Sequence, residues 1–409
     1  MKAEELLQKA RTMQDEIVKH RRRLHEHPEV GFALKSTVEY VEQQLAEMGY
    51  EPKKCGRSGL TATVGTEQAP VFLLRADMDG LAINEESDVA YASKNENMHA
   101  CGHDMHTAML LGAAKLLKEY EAELQGTVKL MFQPAEELLE GSKDMIDAGV
   151  LEQPKVDAGL MIHVSPALPL PAGSVIIAPA GVSAPAADFF EITITGKGCH
   201  GSSPYQGIDP MIPMAHMVLG LQEITTRELP ANQPATLTIG SINGGTSANV
   251  IPDTIILTGT HRCYDDEIRA HLKQRVAEIC QGIATAFRAD CKVQYTSGCP
   301  TLLNDTSLVE FSKDCLTELL GLDMTFSAED LMKAQGSKKG TLASGSEDFA
   351  YVSHAIPTVM FALAAGSPAD GYQYPLHHPK VTFDDEALCY GSAVHAYVAW
   401  KWLNAHGNS

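Results

Sequence analysis

The chain has 409 residues, of which 44% are hydrophobic and 6% aromatic, and a formal net charge of −20. That length exceeds the size at which one core usually stops growing, so two domains, or one domain with a large insertion, are expected. The acidic balance disfavours nucleic acid and anionic membrane surfaces as partners, no apolar run approaches the roughly 20 residues that span a bilayer, and the amino end lacks the apolar core of a secretory signal.

Residues 4–24 carry Leu6, Leu7, Ala10, Met13, Ile17 and Val18 at helical spacing, which predicts an amphipathic opening helix closed by Arg21, Arg22 and Arg23. A second helix is predicted over 36–48. The run 71–74 reads as a fully buried strand and 75–80 as the loop leaving it. After a group of Cys and His residues, 107–120 reads as a helix with Ala108, Leu111 and Leu116 on its buried face. Short apolar strands follow at 128–132, 158–162 and 358–363. Strands separated by helical segments predict an α/β fold with a mostly parallel sheet covered by helices on both faces.

Between 186 and 298 the pattern changes. Strands at 189–195, 235–239, 254–260 and 291–296, with helices near 210–226 and 267–287, predict an inserted α+β domain made of a four-stranded antiparallel sheet and two helices. The chain therefore divides into the first part of one domain at 1–185, an inserted second domain at 186–298, and the remainder of the first domain at 299–409. Nine cysteines scattered without framework spacing suit a reducing compartment, so the cytoplasm is the expected location.

The densest chemistry is the run His99-Ala100-Cys101-Gly102-His103-Asp104-Met105-His106, a thiol and three imidazoles with a carboxylate among them. Cys101 and His103 flank Gly102, and a tight turn there aims both at one centre. Asp77 and Asp79, Glu136 and Glu137, and His163 follow apolar strands, where open α/β sheets place their ligand crevice. Adjacent glutamates are ordinarily a solvated helix start; at a strand end one carboxylate can ligate while its neighbour handles a proton. His163 closes a wholly apolar strand, where an unpaired imidazole is costly. His377-His378-Pro379 lies in a loop, and either histidine is a candidate donor. Five scattered donors suggest a two-metal centre. In the insertion, glycines on both sides of His200 let its ring project toward a cleft, and Asn249 and Arg262 stand near strand ends, Arg suiting carboxylate recognition. Serine-hydrolase elbows, phosphate loops and H-E-x-x-H helices are absent from the sequence.

Five ordered motifs, 99–104, 132–137, 249–253, 345–349 and 376–379, resemble the M20 metallopeptidases, and within them the amidohydrolase branch of hippurate hydrolases, N-acyl-amino-acid amidohydrolases and auxin-conjugate hydrolases. The resemblance implies two divalent metal ions per subunit, with Cys101 bridging and His103, Glu137, His163 and His377 completing the shell. It assigns Glu136 as general acid/base, His200 as oxyanion stabiliser, often at the partner subunit's site, and Asn249 and Arg262 as contacts to the substrate carboxylate or its pocket. The resemblance also implies that 1–185 and 299–409 form the catalytic domain and 186–298 an inserted lid or dimerisation domain, through which a homodimer or higher homo-oligomer forms. Departures occur at Cys199, where relatives usually carry Gly, at Tyr205, where they often carry His, and over 164–171; they bear on acyl and leaving-group preference and leave the metal set intact. A mixed sulfur, nitrogen and oxygen shell admits Zn²⁺, Mn²⁺, Co²⁺ or Ni²⁺.

The expected activity is hydrolysis of the amide of a small N-acyl amino acid or peptide-like substrate by a metal-activated water, with Glu136 moving the proton. A dipeptidase or carboxypeptidase of the same metal chemistry is the near alternative. A cysteine hydrolase using Cys101, or a silent metal-binding scaffold, are the alternatives from other classes.

Overall fold

The computed structural model describes residues 2–66, 70–328, 331 and 345–407. By its internal contacts the chain forms two compact units, one of residues up to 183 together with those from 303 and from 351 onward, the other of residues 184–302 with the stretch ending at 350. No described helix is long and apolar enough to cross a membrane.

The first unit is built on one eight-stranded sheet. Its strands include β1 (Lys53–Cys55), β2 (Gly59–Gly65), β3 (Val71–Asp77), β4 (Thr127–Gln133), β5 (Ala158–Ser165) and β6 (Val175–Ile177), with two further strands at Thr325–Ser327 and Thr358–Ala364. The spatial order is β1-β2-β4-β3-β5, then Thr358–Ala364, β6 and Thr325–Ser327. The inner strands β4, β3, β5 and Thr358–Ala364 run parallel to one another. Antiparallel pairs flank this block, at β1 with β2, β2 with β4, and Thr358–Ala364 with β6.

Every residue of β3 and β4 is buried, so neither face of the sheet's centre meets water. On one face Phe72, Leu74, Val128, Leu130, Leu160 and Ile162 share a core with helix α4 (His103–Glu119) and the helix Ala387–His406. Each such side chain contributes about 1.5–3 kcal/mol by leaving water. The predicted opening helix is two helices, α1 (Ala3–Thr12) and α2 (Gln14–His25), because the Met13 amide bonds both Lys9 and Ala10 carbonyls and tightens the turn between them. Helix α3 (Lys35–Glu47) falls where the spacing places it.

Several boundaries differ from the sequence reading. Strand β3 continues through Arg75 to Asp77, α4 begins at His103 and not at 107, and β5 runs two residues past His163. In β3 and α4 the polar residues there are buried, so polarity does not mark a loop, while the half-buried end of β5 is held by its parallel pairing with Ala362–Ala364. The strands β1, β2, β6 and Thr325–Ser327 were not foreseen; all but β2 are only three residues long.

The second unit carries a four-stranded antiparallel sheet in the order Ala235–Asn243, Thr254–Cys263, Ala186–Thr195, Asp290–Cys299. Burial alternates along Ala186–Thr195, and its inward residues Phe190, Ile192 and Ile194 pack with Met217 of helix Met211–Gly220 and with Leu272 and Val276 of helix Asp266–Ala286. The longer helix starts at a cap, the Asp265 carboxylate accepting from the Glu267 and Ile268 amides at 2.9 and 3.0 Å. The helix predicted over 210–226 ends at Gly220 and is followed by a separate wide turn at Ile224–Glu228.

Candidate metal centre

Three strand ends and two turns of the first unit bring the donors together. Gly102 adopts φ 86, a left-handed conformation open to glycine, and this lets the chain turn from Cys101 directly into α4. His103 then projects from the first turn of that helix. Its Nδ1 donates to the Asp79 carbonyl at 2.8 Å, which leaves Nε2 as the nitrogen turned into the cluster. His163 is fixed in the same way, Nδ1 donating to the Val164 carbonyl at 2.7 Å while Nε2 lies 3.5 Å from Cys101 Sγ.

The Glu136-Glu137 turn follows Ala135, which holds φ 54. Both glutamate amides donate to the carboxylate of Asp79, at 3.0 and 3.2 Å, so one buried aspartate locks the turn through its side chain and His103 through its carbonyl. Glu137 Oε1 lies 3.4 Å from His377 Nε2, and Glu136 Oε2 lies 3.9 Å from His103 Nε2. His377, at φ 65, is tied by its amide to the Ala100 carbonyl at 2.9 Å and sets Nε2 3.3 Å from Cys101 Sγ. His378 turns away, stacking on Tyr374 with ring centroids 4.3 Å apart, and its Nδ1 accepts the Lys380 amide at 3.0 Å.

The donor atoms form overlapping triads. Cys101, His103 and His163 make one and Cys101, Glu137 and His377 another, each with its atoms within 4.8 Å, and Cys101 is common to both. A sulfur shared by two triads is the arrangement that two cations with one bridging thiolate require. The spacings fit as well: ligands about 2.0–2.3 Å from a tetrahedral ion lie roughly 3.3–3.8 Å from one another. His103 Nε2 and Glu137 Oε1 are buried without a hydrogen bond of good geometry, which is costly for polar atoms that have no other ligand.

The electrostatics point the same way. Burial opposes ionisation of Cys101, yet the imidazoles of His163 and His103 outweigh it and bring the thiol down to about 6. Hydrogen bonds to Cys101 and Glu137 raise His377 to about 10. For His103, burial favours the neutral ring, but Asp77 and Cys101 overcome it and raise it well above its ordinary value. Burial pushes Glu137 upward and His377 more than offsets it.

The sequence reading singled out Asp77 and Asp79 without a role, and the structure places them in the layer beneath the donors. Asp77, fully buried, accepts from Arg75 at 2.7 Å and from His106 Nδ1 at 2.6 Å. His106 Nε2 accepts the Val164 amide at 2.8 Å, so both its nitrogens are occupied and it supports the donors without joining them. His99 is buried beside His25, and burial lowers it to about 4. The signal available was the pair Asp77 and Asp79 at the end of a buried strand.

In the second unit, His200 and Asn249 are neighbours: Cys199–His200 pairs with Val250–Ile251, and the Gly201 amide donates to the Asn249 carbonyl at 2.7 Å. His200 is exposed, and its Nδ1 accepts the Ser202 amide at 3.1 Å, which leaves the proton on Nε2. Arg262 donates to Ser346 Oγ at 2.8 Å and stands near the other end of the strand Thr254–Cys263, roughly 26 Å from Thr254 at 3.3 Å per residue. The structure therefore groups His200 with Asn249 and not with Arg262.

Comparison with known proteins agrees. The family model for peptidase family M20/M25/M40 matches residues 73–401. The N-acetyl-L-cysteine deacetylase of Bacillus subtilis (strain 168) is 37% identical over 380 residues, covering 92% of this chain and 86% of that protein. The IAA-amino acid hydrolase ILR1-like 4 of Arabidopsis thaliana is 36% identical over 395 residues, covering 95% and 86%. Among solved structures, the Bacillus subtilis YXEP protein, a dinuclear metal binding peptidase from the M20 family, superposes with a TM-score of 0.76 at 31% identity, covering 96% of this chain and 99% of that one. The chain belongs to peptidase family M20/M25/M40, in its amidohydrolase branch, and is a metal-dependent hydrolase.

Proposed function

We propose that this protein hydrolyses the amide bond of N-acyl amino acids, holding two divalent ions, of Zn²⁺, Mn²⁺, Co²⁺ or Ni²⁺, with Cys101, His103, Glu137, His163 and His377. When bound, such ions polarise a carbonyl and make water a nucleophile near neutral pH. The chain's own residues supply the rest. Glu136 takes a proton from the attacking water and returns it to the leaving nitrogen, which lets an amine and not an amide anion depart. Its position supports the role: buried at 6% exposure, with its amide tied to Asp79, it groups with His103 and Glu137 beside the centre while standing outside the two triads that share Cys101. This is the observation on which the reading rests.

His200 stabilises the oxyanion with the proton that its Ser202 contacts leave on Nε2. Asn249 and Arg262 contact the substrate carboxylate or line its pocket. Because His200 and Arg262 lie toward opposite ends of the strand Thr254–Cys263, they do not line one small pocket of a single chain. That separation supports a homodimer in which each His200, with Asn249 beside it, completes its partner's site. The named activities of the deacetylase and of the plant hydrolase support a small amino-acid conjugate as substrate. Nine free cysteines support a cytoplasmic location.

Glu136→Gln tests the mechanism. The variant keeps its full complement of metal, while release of free amino acid from a panel of N-acyl amino acids falls by about 10²–10⁴. Full activity in that variant refutes the assignment.

A further inference from the structure

Behind the ligand loop lies a second charged cluster that the reaction above does not use. Asp104, the residue after His103 in the first turn of α4, is fully buried and accepts from Arg21 Nε at 3.0 Å and from His25 Nδ1 at 2.9 Å. Arg21 and His25 stand four residues apart on α2 and so share a face. Arg21, itself 1% exposed, also donates to Asp385 at 2.5 Å, to the Tyr91 hydroxyl at 2.9 Å and to the Phe383 carbonyl at 3.3 Å. His25 Nε2 lies 3.2 Å from Glu85 Oε1, and Glu85 also accepts from the Ser93 amide at 2.6 Å and from the Ser87 hydroxyl.

Both nitrogens of His25 face carboxylates, which accept only, so the ring donates twice and carries a charge. Burial opposes that charge, and Asp104 and Glu85 overcome it, holding the ring at about 9. Two cations thus sit among three carboxylates in an interior where losing one partner strands another.

The connections give the cluster its meaning. Through Asp104 it grips the turn that carries His103. Through Glu85 and Tyr91 it grips residues 81–98, which run from Asp79 to the ligand loop with no helix or strand, only an isolated bridge of Leu81 to Met98. A connection that long has no ladder to hold it; apart from the backbone bonds of Glu86 to Pro379 and of Lys94 to Glu26, its anchors are side chains.

We propose that Arg21 and His25 are positioning residues of the metal centre, clamping Asp104 and residues 81–98 so that Cys101, His103 and the turn bound by Asp79 are in place before the ions arrive. The inference rests on the metal-centre reading and adds residues that touch neither ion nor substrate. Outer-layer partners of metal ligands commonly govern affinity by 10–100-fold.

The test is titration of the metal-free protein with Co²⁺, read by the thiolate-to-cobalt absorption band, beside thermal unfolding of the same metal-free samples. His25→Gln should weaken cobalt binding by about 10–100-fold. The double variant His25→Gln with Glu85→Gln, which leaves no stranded carboxylate at that contact, should recover part of the loss. Tyr91→Phe, which keeps the ring and removes one hydrogen bond to Arg21, should show a smaller loss of the same sign. If His25→Gln does not fold, Glu85→Gln and Tyr91→Phe decide by the same readout. Unchanged cobalt affinity with only a lower unfolding temperature overturns the proposal and leaves a plain structural cluster. Absence of cobalt binding by the unaltered protein overturns the metal-centre reading, and the clamp with it.

Discussion

Gly102→Ala probes how the turn between Cys101 and His103 is made. Gly102 sits at φ 86, and a Cβ built there would lie 2.4 Å from Val164 Cγ2 and 3.2 Å from Phe383 Cε1 and Cζ. A side chain in the left-handed region costs about 1–2 kcal/mol, and the overlap with a packed interior costs about 1–3 kcal/mol more. The sum is roughly 2–5 kcal/mol. Gly149 separates the two causes, since it holds φ 89 with nothing within 4 Å of its Cβ position. Gly149→Ala should therefore show the backbone cost alone. Urea unfolding of the metal-free proteins measures both, with stability extrapolated linearly to water. Because Val164 adjoins His163 and its amide bonds His106, displacing it moves a donor, and Gly102→Ala should also lose at least about tenfold in Co²⁺ affinity. Equal destabilisation of the two variants, with metal affinity unchanged, would refute the reasoning.

Two further outcomes follow from the same geometry. Removal of metal by a strong chelator should abolish turnover and lower the unfolding temperature, and returning an ion at about 100 times its dissociation constant should restore roughly 2.7 kcal/mol; activity that survives chelation rules out the metal mechanism. His395 is fully buried on the helix Ala387–His406, and burial, with His106 nearby, depresses its ring to about 3. Its folded value lies below the unfolded value of about 6.5, so the unfolded chain takes up the proton first: its contribution is intact above pH 6.5 and is lost as pH falls toward 3. His395→Met should remove a slope of about 1.4 kcal/mol per pH unit in that window, measured by urea unfolding at successive pH values. An unchanged slope would show that the ring does not titrate there.

The apolar runs at 71–74, 128–132, 158–162 and 358–363 were legible because strands buried on both faces must be nearly continuous in apolar residues. Their ends were not. Arg75, Asp77 and Gln133 belong to strands, since the Arg75 guanidinium donates to Asp77 at 2.7 Å and to Gln133 at 2.8 Å, and such pairing leaves no trace in residue order. Of the imidazoles in 99–106, composition makes all three equal. Hydrogen bonds and position separate them: His106 has both nitrogens occupied, His99 belongs to none of the donor groups, and His103 turns Nε2 toward Cys101 and His163. Likewise His377 and His378 are adjacent and identical in type, and the left-handed turn that swings one toward Cys101 is a property of backbone packing. The short strands β1 and β6 are missed because they gain stability from their neighbours and carry little signal of their own.

Three turns at the centre hold a residue in the left-handed region, at Gly102, Ala135 and His377, and two of these residues have side chains that make the conformation costly by about 1–2 kcal/mol each. The surroundings over-determine them: the Asp79 carboxylate takes both amides after Ala135, and the His377 amide is tied to Ala100, one residue from the sulfur that its ring approaches across 276 positions of sequence. Contacts within the protein therefore help to gather the donors. Gathering them concentrates a thiolate and carboxylates in a small buried volume, and that volume demands positive charge. Protons answer the demand in part, which is why His377 is raised to about 10 while the Cys101 thiol falls to about 6. A proton on His377 Nε2 and a cation compete for the same lone pair, and the ion neutralises more charge while releasing that proton. The raised imidazoles and lowered thiol thus share one cause: burial and these turns gather the donors in a small volume that favours positive charge, as a metal centre requires.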